Sequence, residues 1–302
     1  MHGDRAYWEA RAQRSGQAET QEWFLVGLER LRPHLERTGA LDASTSVLEA
    51  GCGTSRLALD LCDARDCGST GTGSILAFDY SETCIKRQRM RLQQLGRCEQ
   101  DESTPKRSVP QYRTMDARDL PLDDCTYDVL IDKGTLDAVD CIGNDDDAAA
   151  GARAAARCAA EYARVLRPGG WLCIVTCRSP RHRLEALAQC GAALRLEGCE
   201  ALKHPSEARA PGGWVSLLLL QRPVGGMHRA ALDATALDQF EREQEEKEAR
   251  AAMARAAVVK AEYHRSADAN DFFGNSAGDN DDDDVGGALA LLSLGAEEHK
   301  NE

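Results

Sequence analysis

The 302-residue chain has no CxxC pair, no cysteine and histidine cluster at zinc-ligand spacing, and no apolar stretch longer than the strand-length segment Val215 to Leu220. The first lack removes the usual redox and zinc-ribbon motifs. Cys62 with Cys67 and Cys173 with Cys177 lie close in sequence but lack ligand spacing, so no metal site is expected. Without a long apolar run, no segment is expected to span or anchor in a membrane. The first thirty residues carry several acids and no apolar core, which argues against a secretory signal or a mitochondrial presequence. All twelve cysteines precede residue 200, and in a cytoplasmic protein they are expected to be reduced thiols. Basic charge is also short. The net charge is -13, and from Val224 onward eight Lys/Arg stand against eighteen Asp/Glu, which leaves the first 223 residues at only -3. A near-neutral body with an acidic tail offers no footprint for a phosphate backbone, so nucleic acid is not the expected partner and a basic protein surface is.

What is present has an alternating period. Glu22 to Leu35 (EWFLVGLERLRPHL) places apolar side chains at helical spacing and predicts an amphipathic helix. Val47–Glu49, Ile75–Asp79, Gln111–Met115, Tyr127–Asp132 and Trp171–Thr176 then read as short buried strands with helix-forming segments between them. A helix near His182 to Cys190 and two further strands, Leu196–Leu202 and Trp214–Gln221, complete the pattern. The expected fold is α/β: a doubly wound, mostly parallel, seven-stranded Rossmann-like sheet ending in a hairpin. Asp63–Ser74 and Arg97–Val109 read as loop expansions. The expected boundaries are an N-terminal helical lid segment over 1–45, one α/β domain over 46–223, a charged helical extension over 224–265 and an acidic disordered tail over 266–302. Within the extension, Ala230–Arg265 has too thin an apolar stripe for a core helix. Leu289–Leu294 (LALLSL) is a short apolar island, either a docking motif or a frayed helix.

The chemistry concentrates at strand ends. After Glu49 comes Gly51-Cys52-Gly53, a turn where backbone can approach a ligand, followed by a helix whose first N–H groups are free. The dinucleotide fingerprint requires a third glycine where this chain has Arg56, which disfavours NAD. Glu49 is an acceptor suited to the amino group of a methionine moiety. Asp79, with Tyr80 beside it, closes the second strand where a carboxylate can accept from both ribose hydroxyls. Asp116 follows the third strand as an acceptor for an adenine amino group, with the Ala117 backbone at the ring edge. Asp132 closes the fourth. A helix cap or solvated loop acid is the alternative reading of each acid taken alone.

The segments LEAGCGTSRL, FDYSETCIK, MDARDLPL, IDKGTLDAV (131–139) and RVLRPGG together resemble the class I S-adenosylmethionine (SAM)-dependent methyltransferases, and specifically the methyltransferase-like enzymes that methylate lysines of elongation factor 1-alpha. The likeness runs from about Tyr7 to Gln221. GCG and RPGG are general to the class, whereas DKGTLDA is more specific. The resemblance implies SAM as cofactor and a protein-lysine N-methyltransferase acting on an elongation factor or similar protein. It also implies that Trp8 and Trp23, within YWEARA and QEWF, help cover the cofactor, and that Lys133 sits against it. Ala12 replaces an aromatic found in relatives, which loosens the expected lid. Helix-on-sheet packing is the alternative role for the two tryptophans.

Methyl transfer from a sulfonium needs an in-line nucleophile and exclusion of water rather than a metal. Asp132 and Asp137 are the candidates for orienting an acceptor amine or passing its proton to water, and no dedicated general base is expected. A small-molecule methyltransferase and a non-catalytic SAM-binding scaffold share the cofactor residues and remain open at this level. The sequence also leaves open the acceptor and the oligomeric state, and Lys203–Gly213 shows no readable pattern.

Overall fold

In the computed structural model, the described residues are 4–14, 22–65, 73–97, 109–142, 149–189, 194–203 and 214–224, with a few scattered positions up to 253. Seven strands form one sheet in the order β3-β2-β1-β4-β5-β7-β6. They are β1 (Val47–Ala50), β2 (Ile75–Asp79), β3 (Gln111–Thr114), β4 (Tyr127–Lys133), β5 (Leu166–Thr176), β6 (Arg195–Lys203) and β7 (Trp214–Gln221). The first five pair in parallel, while β7 runs antiparallel to both β5 and β6. The predicted sheet and its terminal hairpin are therefore both present. β5 begins five residues earlier than its apolar pattern suggests, because Leu166 already pairs with Tyr127 before the RPGG segment shifts the register.

The helices are α1 (Arg5–Arg14), α2 (Leu28–Arg37), α3 (Leu57–Ala64), α4 (Glu82–Gln94), α5 (Thr135–Asp140), α6 (Ala150–Val165) and α7 (Pro180–Gln189). Period-two alternation along the strands divides the core into two layers. Val47, Ile75, Val129 and Ile131 pack with Leu31 and Leu35 of α2 and Leu57 and Leu61 of α3. Leu48, Leu76 and Leu130 pack on the other face with Tyr162 of α6 and Leu184 of α7.

One expected element differs. The single helix predicted from Glu22 to Leu35 is divided: Trp23–Leu25 form one 3-10 turn and α2 starts only at Leu28. Phe24 (φ 59°) and Leu25 (φ 53°) both adopt left-handed backbone, which no continuing helix permits. For non-glycine residues this costs about 1–3 kcal/mol each, and it is tolerated because neighbouring groups hold the turn in place, as described below. Helical spacing was real for Leu28–Leu35 within α2 and coincidental in Glu22–Val26 before it. The described residues contain no helix long and apolar enough to cross a membrane. All but a few scattered positions of the Ala230–Arg265 extension, the tail from Ser266, the Leu289–Leu294 island and most of Lys203–Gly213 lie outside the described residues, as do the middles of the two loop expansions.

Candidate cofactor site

The carboxyl ends of β1, β2 and β4 open onto a cleft of about 250 Å³. Its floor is the turn after β1. Gly51 (φ +58°) and Gly53 (φ +50°) both take left-handed backbone, but their surroundings differ. A Cβ on Gly51 would lie 2.0 Å from Thr135 Oγ1, whereas one on Gly53 would meet nothing within 4 Å. Gly51 is thus required by packing and Gly53 leaves open space on the cleft wall. Thr135 closes against this turn by donating from its hydroxyl to the Ala50 carbonyl at 2.9 Å.

Asp79 faces the glycine turn. Its Oδ2 accepts from the Gly53 N–H at 2.9 Å and its Oδ1 from the Ser81 N–H at 2.8 Å. Burial raises its pKa above the usual carboxylate value, and those two N–H groups oppose the rise. Each oxygen keeps acceptor capacity, so the carboxylate can also take donors from the cleft. Tyr80 lines the wall beside it, and burial next to Asp79 pushes its phenol up to about 12.

Asp116 and Ala117 also line the cleft. The sequence treated Asp116 as a free acceptor, but Arg118 grips it through two short contacts, Nε to Oδ1 at 2.9 Å and Nη2 to Oδ2 at 2.6 Å. Arg118 thereby holds the Asp116 carboxyl below its usual pKa. An adenine amino group would share this carboxylate with a guanidinium that itself lines the cleft.

Two acids lie behind the wall instead of on it. Glu49 shares the face of Val47 and points into the layer of α2 and α3. It is 1% exposed, takes a backbone hydrogen bond from Ala58, and leaves Oε2 with no hydrogen-bond partner. Burial pushes its carboxyl up to about 8, against the pull of the nearby Lys133 ammonium. Asp132 shares the other face with Leu130. Its Oδ2 accepts from Tyr162 Oη at 2.8 Å and its Oδ1 from the Thr135 N–H at 3.0 Å, so it caps α5. Burial pushes it up to about 7, although the Tyr162 hydroxyl opposes this. Being 0% exposed and off the cleft wall, Asp132 is not placed to touch an acceptor. This corrects the expectation of an acceptor-facing role, and the cause is strand alternation: a residue that looks terminal in sequence still points into a layer.

Asp137, by contrast, reaches the cleft. Its carboxylate is fixed by Thr176 Oγ1 at 2.6 Å, the Cys177 N–H at 3.0 Å and Arg183 Nη2 at 2.5 Å. Arg183 of α7 is fully buried and also pairs with Asp140 at 2.8 Å. Lys133 lines the wall with its side chain almost wholly buried. Its Nζ lies 2.7 Å from Glu22 Oε2.

The rim is aromatic. Trp8 and Trp23 both line the cleft with ring centroids 5.6 Å apart, and the Arg11 guanidinium lies over both rings. Helix α1 is fastened to the start of α4 by Glu9, which accepts from Ser81 Oγ at 2.7 Å and from the Thr83 hydroxyl. Sequence reading missed Glu22, Phe24, Arg118 and Arg183. Glu22 and Phe24 stood inside the noted QEWF segment, but their partners lie 33 residues or more away, and no spacing rule links them.

The chain resembles known proteins in three ways. Residues 48–174 match the family described as "Methyltransferase domain". The mouse "eEF1A lysine and N-terminal methyltransferase" is 33% identical over 173 residues, covering 57% of this chain. The mouse "EEF1A lysine methyltransferase 4" is 28% identical over 188 residues, covering 61%. This chain spans 21% of the length of the first relative and 64% of the second. Among solved structures, one described as "Conversion of a Disulfide Bond into a Thioacetal Group during Echinomycin Biosynthesis" superposes with a TM-score of 0.50. It is 17% identical and covers 80% of this chain and 99% of that one, a likeness of fold.

Proposed function

From the match of residues 48–174 to a methyltransferase domain, we propose that the chain is a class I S-adenosylmethionine-dependent methyltransferase, specifically a protein-lysine N-methyltransferase acting on a translation elongation factor or a similar protein. One observation carries the reading. The segment Asp132–Val139, which the chain shares in pattern with the elongation-factor methyltransferases, supplies a continuous part of the cleft wall through Lys133, Gly134, Thr135, Asp137, Ala138 and Val139.

The residues present fit the cofactor. Gly53 leaves open space beside the turn, and Asp79 presents a carboxylate across from it where ribose hydroxyls can donate. Asp116 and Ala117 stand where an adenine edge would be read, Trp8 and Trp23 cover the opening, and Lys133 offers a cation toward a carboxylate. Glu49 acts from behind the wall, on Lys133 and the start of α3, rather than by touching the methionine amino group. When bound, the cofactor supplies an activated methyl group that needs no metal.

The acceptor end is formed by Phe24, Asp137, Val139, Ile142 and Cys177. An amine entering this largely apolar surface is desolvated, which favours its neutral, nucleophilic form. Asp137 accepts a hydrogen bond from that amine and fixes its direction. Three donors already hold this carboxylate, so its task is orientation and the proton leaves to water. The 46–223 region is read as the catalytic domain and 1–45 as its rim. The 224–265 extension is close to neutral, and the acidic 266–302 tail complements a basic protein surface; such a substrate would place the reaction in the cytoplasm.

Incubation of the purified chain with methyl-labelled SAM and cell lysate proteins tests this. The expected result is label on lysine of a protein of elongation-factor size. Label confined to the low-mass fraction would replace the reading with a small-molecule methyltransferase, and SAM binding without any transfer would leave a scaffold.

A further inference from the structure

Glu22 joins three parts of the molecule that the sequence keeps apart. Its carboxylate accepts from Ser55 Oγ at 2.8 Å and from the Arg56 N–H at 2.7 Å, both at the start of α3. On the other side it meets Lys133 Nζ of β4 at 2.7 Å. Immediately after it comes the left-handed turn through Phe24 and Leu25. That turn sets the Phe24 ring against Gly134, where a Cβ would come within 3.1 Å of Phe24 Cε2, and sets Trp23 on the cleft against Trp8. The glycine-turn side of the cleft, its β4 side and its aromatic rim therefore share one anchoring carboxylate.

Lys133 also has a second acid available. Glu49 lies within electrostatic reach of its ammonium and has a buried oxygen with no hydrogen-bond partner. When the contact with Glu22 opens, Glu49 is the nearby acid left to the ammonium, at the cost of ionising a carboxyl that burial otherwise keeps protonated near neutral pH.

We propose that Glu22 is a positioning residue that latches the aromatic turn across the cofactor cleft, and that opening of its contact with Lys133 limits release of the cofactor. The proposal rests on the reading of the cleft as a SAM site and adds to it the element that controls exchange. It assigns Glu22 no contact with the transferred methyl group.

The test follows SAM dissociation from the full chain by stopped-flow tryptophan fluorescence, with melting temperature recorded in parallel. Wild type failing to bind SAM would remove the cofactor reading and the latch with it. If wild type binds, Glu22→Gln, which keeps the size and removes the charge, is expected to release SAM at least tenfold faster. Ser55→Ala, which loosens the same carboxylate from outside the cleft wall, is expected to speed release in the same direction, and the double variant to be no faster than the faster single one, because both undo one anchor. Should Glu22→Gln fail to fold, Ser55→Ala loosens the same anchor from the α3 side and its release rate decides. A purely structural role would lower the melting temperature and leave the release rate of folded protein within twofold of wild type. That outcome, or effects that simply multiply in the double variant, would overturn the latch.

Discussion

Gly51 and Gly53 look alike in sequence and serve different ends. At Gly51 a methyl group collides with Thr135 and the backbone is left-handed, so Gly51→Ala is expected to cost about 2–3 kcal/mol through overpacking and strain. In a domain of this size that lowers the melting temperature by roughly 5–10 °C. At Gly53 the added methyl meets nothing, so Gly53→Ala is expected to cost only about 1 kcal/mol of backbone strain while obstructing the open space beside Asp79. Its melting temperature should fall by a few degrees and its SAM affinity at least tenfold. Thermal denaturation with calorimetric titration separates the two. Equal effects on both quantities would mean that the turn is not divided in this way. The same scale explains which acids were legible. Asp79 reaches the cleft from the end of β2 and Asp137 reaches it from α5, whereas Glu49 and Asp132 do not, since one residue of register along a strand reverses the face a side chain points to.

At the level of elements, the cleft wall proposed to face the acceptor is a short helix held from behind. Helix α5 has only six residues, and since its N-cap Gly134 has no side chain, the cap comes from Asp132 of β4. It is kept in place by Asp132 bonded to Tyr162 of α6, and by Arg183 of α7 paired with Asp137 and Asp140. Although burial alone would favour loss of its proton, the acids around Arg183 hold it charged. Replacing it by Met leaves two acids facing a neutral interior, and breaking a buried pair from one side costs about 3–5 kcal/mol. Arg183→Met is therefore expected to lower stability to urea by about that amount. In the folded fraction, methyl transfer should fall while SAM affinity changes little, because Asp137 lies at the proposed acceptor end and Asp79 does not depend on α7. A loss of SAM binding equal to the loss of turnover would contradict this division. None of these ties was visible from the sequence. Strand and helix periods report burial, but the choice of partner among buried groups is made only when α5, α6 and α7 meet.

For the whole molecule, two buried acids set a pH dependence. The Glu49 and Asp132 carboxyls are pushed up to about 8 and about 7, whereas in the unfolded chain both titrate near 4. Between those values the folded chain binds more protons than the unfolded one. Stability from these two groups is therefore fully present below about pH 4, falls as pH rises, and is exhausted above about pH 8. The limiting slope is roughly 1.4 kcal/mol per pH unit per group. Urea unfolding at pH 5.5, 7.0 and 8.5 should show decreasing stability. Glu49→Gln should flatten the upper part of the curve, since its carboxyl titrates last. A curve that rises from pH 5.5 to 8.5 would show that these acids stay ionised throughout. Groups such as Asp116, whose pKa Arg118 lowers, act in the opposite direction but only in more acidic solution.

The order of strands along the chain, their burial and the glycine turn were written in the sequence, because each depends on a period of two or on one residue's backbone freedom. Those are local properties, and they sufficed for the seven-stranded sheet and for Asp79 facing the turn. What only the tertiary structure decided is who answers whom across long separations: Glu22 to Lys133 over 111 residues, Asp132 to Tyr162, Arg183 to Asp137. A carboxylate in sequence carries charge but no direction. Packing supplies the direction, since only the folded interior removes water and leaves each buried charge to the partner it can reach.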